Sequence, residues 1–340
     1  METKNEQARK QEYEYFYDEE SENDEDSNAI YANVLTKNNE RKKIPFIYML
    51  GRRYHPVHDF DERKEYEVSL FWWTYRYDFP EIKPYGITSD AGWGCMLRSA
   101  QMMLAHALRI HFKSRHWKPT ATASKVRRDD FIKAIMTWFA DFPGKSQSIY
   151  SLHNMCAAGL AKYEVFPGEW YSPGTICYVL RDLVALHQQR QPNIFRVHVV
   201  SSEGIVYMDS VFELMTDAKK KNKQSEQEVV EPLHPLDPVI PELDELNLGE
   251  LEWDTSLLLL IPLRLGLDAL NEEYVQSVAQ TFSLPQSVGA LGGRPRGARW
   301  FYGAYADGSK VLGKLPMALP GQLHIVHIFL CRAILPFGTN

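Results

Sequence analysis

The sequence predicts an α+β fold, and three observations carry that reading. Helix-period apolar patterning dominates residues 95–188. Short continuous apolar runs dominate the chain after residue 196. The helices come first and the strands later, which suits a layer of helices packed on a sheet. The 340 residues, 44% of them hydrophobic, suffice for a sizeable core in one large domain or two small ones.

Residues 1–43 read as a disordered acidic tail, with few apolar residues and an acidic run from Asp18 to Asp26. Within it, Tyr31 and Val34 follow the acids at a spacing that could add as a strand to a sheet edge and fill two pockets; a chance tetrapeptide is the plainer alternative. Dense apolar content begins at Pro45, where IPFIYMLGRRY reads as a strand or a buried opening segment. Glu65 to Phe79 is aromatic-rich with polar positions at helical spacing. A loop from Pro80 to Trp93 follows. Cys95 to His111 reads as a helix that is apolar on most sides and therefore buried. Further helices are expected over Arg128–Phe139, Thr175–Gln188 and residues 271–282. Strands are expected over Arg196–Val200, Gly204–Met208, Ser256–Pro262, Val288–Leu291 and Trp300–Ala306. Residues 217–251 turn polar and then proline-rich, which marks an exposed insertion within a domain spanning 44–312. Residues 313–340 form an atypical C-terminal segment.

Composition narrows the function. A net charge of −6 argues against a nucleic-acid binder. The four cysteines, Cys95, Cys156, Cys177 and Cys331, form no CxxC pair, so neither a zinc ribbon nor a thioredoxin-type site is signalled. The first twenty residues lack the apolar core of a signal peptide, and Leu323–Phe337 is too short and too interrupted for a membrane span. A cytoplasmic protein with free thiols is expected.

The chemistry concentrates in Thr88–Cys95 (TSDAGWGC). It places a cysteine after two glycines at the start of a predicted helix. A helix N-terminus offers free N–H groups and partial positive charge. Both favour thiolate, the nucleophilic form, and the same N–H groups can hold an oxyanion. On the residues alone, an inert core cysteine is an equal alternative. His106 lies eleven positions along the same helix and is too far to act as a base for Cys95. The basic run Lys219–Lys221 reads as a solvated loop, with contact to an anionic membrane surface as the sharper alternative.

The run SDAGWGCMLRSAQMMLAHAL resembles the nucleophile segment of the autophagins, a papain-like cysteine peptidase family. LGRRY at 50–54, WWTYRYDFP at 72–80, GEWYSPGT at 168–175, LLLLIPLRLGLDALNEEYV at 257–275 and PQSVGALGGRP at 285–295 are similar to other family segments, in the same order. The resemblance implies a helical part carrying the nucleophile, packed on a mixed or antiparallel sheet. It implies Cys95 as nucleophile and Tyr75 as donor to the oxyanion. Trp170 would cover the cleft, and Gly292, Gly293, Arg294 and Pro295 would form a flexible lid. The implied substrate is the ubiquitin-like modifier of autophagy, free or conjugated to phosphatidylethanolamine on autophagic membranes. No metal or organic cofactor is implied.

One departure stands out. A cysteine peptidase needs a base and a group that orients it. The family supplies an Asp-Pro-His run shortly after the lid. Aligned through the GGRP loop, those positions hold Gly313, Lys314 and Leu315. Beyond Lys310 the chain has no Asp or Glu, although it has 44 in all. Three readings fit: a misjoined or truncated reading frame, which the abrupt break favours; an inactive variant that binds the modifier without cutting it; or a substitute base, His324 or His327, reaching the cleft by another path. His324, His327 and Cys331 have no carboxylate nearby and do not suggest a metal site.

Overall fold

The computed structural model describes residues 45–119, 129–143, 147–201, 203–223, 256–266, 270–316 and 327–334. The tail with Tyr31 and Val34, most of the proline-rich insertion, and His324 lie outside them.

The described chain opens with a tight hairpin, β1 (Ile47–Met49) and β2 (Arg52–Tyr54). Gly51 closes its turn at a φ of +83°, and a Cβ there would sit 2.8 Å from the Leu284 carbonyl oxygen, so only glycine fits. Five helices follow: α1 (Phe60–Val68), α2 (Cys95–Phe112), α3 (Asp130–Trp138), α4 (Leu152–Tyr163) and α5 (Pro173–Gln188). Their starts are chemically marked. Asp129 accepts from the N–H groups of Phe131 and Ile132, Ser151 from Asn154, and Ser172 from Thr175, with Pro173 in the first turn of α5. β3 (Arg196–Val199), α6 (Met208–Lys223), β4 (Leu257–Arg264), α7 (Glu272–Thr281), β5 (Ala290–Gly292), β6 (Arg299–Tyr305), β7 (Val311–Lys314) and β8 (His327–Ile334) complete the order.

The strands form two sheets. One runs β2-β1-β6-β5, with β7 added on β6, and its pairings are antiparallel. The other runs β3-β4-β8, parallel between β3 and β4 and antiparallel between β4 and β8. α2 is the hub of the core: every residue from Cys95 to Ile110 is buried. Its apolar residues share one cluster with Ile47, Met49, Leu180, Leu258, Leu291 and Trp300, drawn from both sheets and from α5. Burying a side chain of this size stabilises by roughly 1.5–3 kcal/mol, so α2 is anchored by packing on all sides. Among the described residues no helix is long and apolar enough to cross a membrane.

The α+β class, the buried α2 and the mixed sheets agree with the sequence reading. Four details do not. Strands do not merely follow helices, since β1 pairs with β6 across the whole described chain. The predicted strand Gly204–Met208 is irregular and runs into α6, whose Val211 and Met215 bury themselves beside Leu257. The helical reading of Glu65–Phe79 holds only to Val68. Beyond it the backbone is irregular because its partners lie elsewhere: Trp73 packs 5.1 Å from Phe139 and 5.4 Å from Phe71, between ring centroids. α4 has no counterpart in the sequence reading.

Candidate active site

Cys95 is the first residue of α2 and is buried. The polar groups around its sulfur come from three places. The Tyr75 hydroxyl reaches it from the irregular segment after α1, the N–H of Met96 from the first turn of α2, and the N–H groups of Ala298 and Arg296 from the loop after β5. Burial pushes the Cys95 thiol up, and the Ala298 amide, the Tyr75 hydroxyl, and the Arg296 and Met96 amides pull it back only in part. The expectation that the helix N-terminus favours thiolate is therefore outweighed: desolvation wins over the donors. Burial and the adjacent Cys95 hold Tyr75 well above the usual phenol range. Its hydroxyl keeps its proton at neutral pH and can donate it to a neighbouring anion. Cys156 and Cys177, also free and buried, differ: burial drives Cys156 to about 12 and Cys177 still higher, and neither is ringed by backbone donors.

The predicted lid residues, Gly292 to Pro295, lead directly into the residues that bring the Arg296 and Ala298 amides to the sulfur. Gly292 ends β5; Gly293 has φ +123°, and a Cβ there would lie 2.6 Å from the Gly297 carbonyl oxygen. Arg294, Pro295 and Arg296 are exposed, so the outer surface of this loop faces solvent while the Arg296 and Ala298 amides face the thiol. Trp170 is half-buried against the core. Its loop abuts the one leading to Cys95: Phe166 meets Tyr85 edge-on at 6.2 Å, and a Cβ at Gly168 would touch Ile87 at 3.2 Å.

Behind Cys95 lies a buried ion network that sequence reading missed. Asp90 and Arg98 are fully buried and joined at 2.7 Å. Arg98 also reaches Asp141 at 2.9 Å, and Arg76 reaches Asp141 at 2.6 Å. Two arginines and two aspartates close a neutral set, so none of the four charges is buried unpaired. The signal for it was present: Asp90 and Arg98 flank Cys95 within one otherwise apolar stretch.

The end of β7, on the other side of the Tyr75 segment, differs. Lys314, on β7, is the middle one of the three positions, Gly313, Lys314 and Leu315, that align with the Asp-Pro-His run. Its ammonium donates to the carbonyl oxygens of Glu67 (3.1 Å) and Leu70 (3.2 Å) at the end of α1. Burial pushes it down to about 8. Leu315 and Pro316 continue along the Tyr75 segment: Trp72 Nε1 donates to the Leu315 carbonyl at 2.9 Å, and the Tyr75 N–H to that of Pro316 at 2.9 Å. None of the groups given above for the Cys95 thiol is a histidine or a carboxylate. His106, buried against Trp300 at 5.6 Å, is held neutral by desolvation and nearby arginines. His327 lies on β8 at the register position opposite Arg264.

A buried thiol at the start of a core helix, faced by a tyrosine hydroxyl and loop amides across from antiparallel strands, defines a class: the papain-like cysteine peptidases. Comparison of sequences makes the class specific. Residues 60–312 match the Peptidase C54 catalytic domain. The chain is 32% identical over 261 residues to cysteine protease ATG4B of Xenopus laevis, covering 77% of this chain and 62% of that protein. It is 32% identical over 260 residues to cysteine protease ATG4B of Gallus gallus, again covering 62% of the relative. With cysteine protease ATG4A of Homo sapiens it shares 30% identity over 286 residues, 83% of this chain and 67% of that protein. The chain therefore belongs to the peptidase C54 family, the autophagins, and spans about six tenths of the first relatives' length. The family match stops at Leu312, one residue before Gly313, Lys314 and Leu315.

Proposed function

We propose that the chain is a cysteine protease of autophagy that takes the C-terminal glycine tail of the ubiquitin-like modifier into the Cys95 cleft. One observation carries this reading: the sulfur is met from three directions by the Tyr75 hydroxyl and the amides of Met96, Arg296 and Ala298. Those donors are arranged for an anion, whether a thiolate or the oxyanion of a tetrahedral intermediate. Cys95 attacks the carbonyl of the glycine, the bond to the C-terminal extension breaks, and the extension leaves as an amine. Water then resolves the thioester. The bond to phosphatidylethanolamine is an amide to the same glycine, so the same steps release the modifier from lipid. Trp170 and the lid of Gly292, Gly293, Arg294 and Pro295 limit the cleft to a tail without bulk. The thiol proton needs an acceptor, and His324 and His327 are the candidates. Tyr31 and Val34 supply a second contact to the modifier.

A second reading follows from the Lys314 wall. A chain with Gly313, Lys314 and Leu315 in place of acid and base would hold the modifier without cutting it. Incubating the purified chain with C-terminally extended modifier, with mass detection of products and Cys95→Ala as control, separates the two. Loss of the extension with the wild-type chain alone supports cleavage. Retained binding with an intact substrate supports the holding role.

A further inference from the structure

We propose that Asp90 is a positioning residue that sets the Tyr75 hydroxyl against the Cys95 sulfur. The proposal rests on the reading of Cys95 as nucleophile. Asp90 is fully buried and touches all the parts that must be held in register. Its Oδ1 accepts from the backbone N–H of Arg76 at 2.7 Å, and its own N–H donates to the Arg76 carbonyl at 3.3 Å. Both bonds grip the residue directly after Tyr75. Its Oδ2 accepts from Arg98 Nε at 2.7 Å, on the first turn of α2. Its carbonyl accepts from the N–H of Gly94 at 2.8 Å, directly before Cys95. One side chain and one peptide unit thus tie the Tyr75 segment to the start of the nucleophile helix.

The fit is close. A Cβ at Gly94 would stand 2.6 Å from Asp90 Oδ2 and 2.7 Å from its Cβ, so glycine at 94 is the condition for this approach. The segment from Leu70 to Tyr77 has no helix or strand of its own to fix it. Its anchors near Tyr75 are the Asp90 clamp, the Arg76–Asp141 ion pair and the Tyr75 N–H bond to Pro316.

Acting through position, Asp90 predicts a sign opposite to its charge. As a nearby negative charge it disfavours the thiolate, and removing it would speed thiol chemistry. As a clamp it keeps a donor on the sulfur, and removing it slows thiol chemistry. The test is the rate of Cys95 alkylation by iodoacetamide between pH 6 and 10, with peptide mapping to isolate Cys95. Four chains are compared: wild type, Asp90→Asn, Tyr75→Phe and the double variant. Phe282→Leu, a core change at the end of α7, controls for lost stability. The expected result is that Asp90→Asn and Tyr75→Phe each slow alkylation at pH 8 by about threefold to tenfold, with both profiles moved to higher pH. The double variant is then no slower than Tyr75→Phe alone, because both changes remove one contact. Phe282→Leu lowers the unfolding midpoint and leaves the profile in place. Faster alkylation in Asp90→Asn, an unchanged rate, or additive losses in the double variant would overturn the proposal. A wild-type Cys95 that resists alkylation throughout would instead sink the nucleophile reading, and this inference with it.

Discussion

Two walls meet at the Tyr75 segment, the start of α2 and the end of β7, and they are built by opposite means. The wall carrying Cys95 is held by charge in the core: Asp90, Arg98, Asp141 and Arg76 form a closed set around the first turn of α2. The wall carrying β7 has one cation, Lys314, held by two peptide carbonyls and depressed to about 8 by burial. The first wall resembles the family throughout; the second departs from it at the acid and base positions. The contrast shows that a buried thiol and its donors can be assembled without a carboxylate or an imidazole at the aligned positions 313–315.

Changes that attack the first wall should have the largest effects. Arg98→Met leaves the buried Asp90 carboxylate without its cation and takes one of two arginines from Asp141, and should cost about 3–5 kcal/mol, measured by urea unfolding. A loss below 1 kcal/mol would mean that the ion network does not hold this wall. Gly94→Ala drives a methyl group into Asp90 and should cost about 1–3 kcal/mol while slowing Cys95 alkylation. Retained stability and alkylation rate would show that the loop relaxes freely.

The second wall should respond to pH rather than to shape. Lys314 titrates near 8 in the folded chain and near its ordinary 10.5 when unfolded. Between those values the unfolded state binds more protons, so the folded state gains stability as pH rises from 8 to 10.5. Lys314→Met should remove that rise, raise stability at pH 7 by about 1–2 kcal/mol and leave Cys95 alkylation unchanged. Thermal melts across this pH range read the effect. A destabilised variant would show that the two carbonyl bonds outweigh the desolvation of the ammonium.

Much of the fold was legible where one pattern dominated. α2 is apolar on nearly every face, and SLLLLIP is a continuous short run, so both were read at their observed places. α4 escaped because its tightest contact is made by a residue without a side chain: a Cβ at Gly159 would stand 2.3 Å from the Tyr171 oxygen. Its N-cap Ser151 was the available signal. α6 escaped because GIVYM mimics a strand, although Val211 and Met215 already stand four apart on one helical face. At the site, the resemblance pointed to Cys95, Tyr75 and the Gly292–Pro295 loop. It could not show that burial outweighs the helix N-terminus at Cys95, because desolvation depends on what packs from elsewhere in the chain. Nor could it show Asp141 joining Asp90 and Arg98, since that pairing spans more than forty residues.

The central claim is that, among the described residues, the resting Cys95 thiol is governed by burial, the Tyr75 hydroxyl and backbone amides. Its alkylation rate as a function of pH tests this most directly. The account predicts one ionisation above the ordinary thiol value near 8.5, with reactivity falling steadily below it. A thiolate plateau reaching down to pH 5–6 would contradict the account, because it requires a cation beside the sulfur in the resting protein.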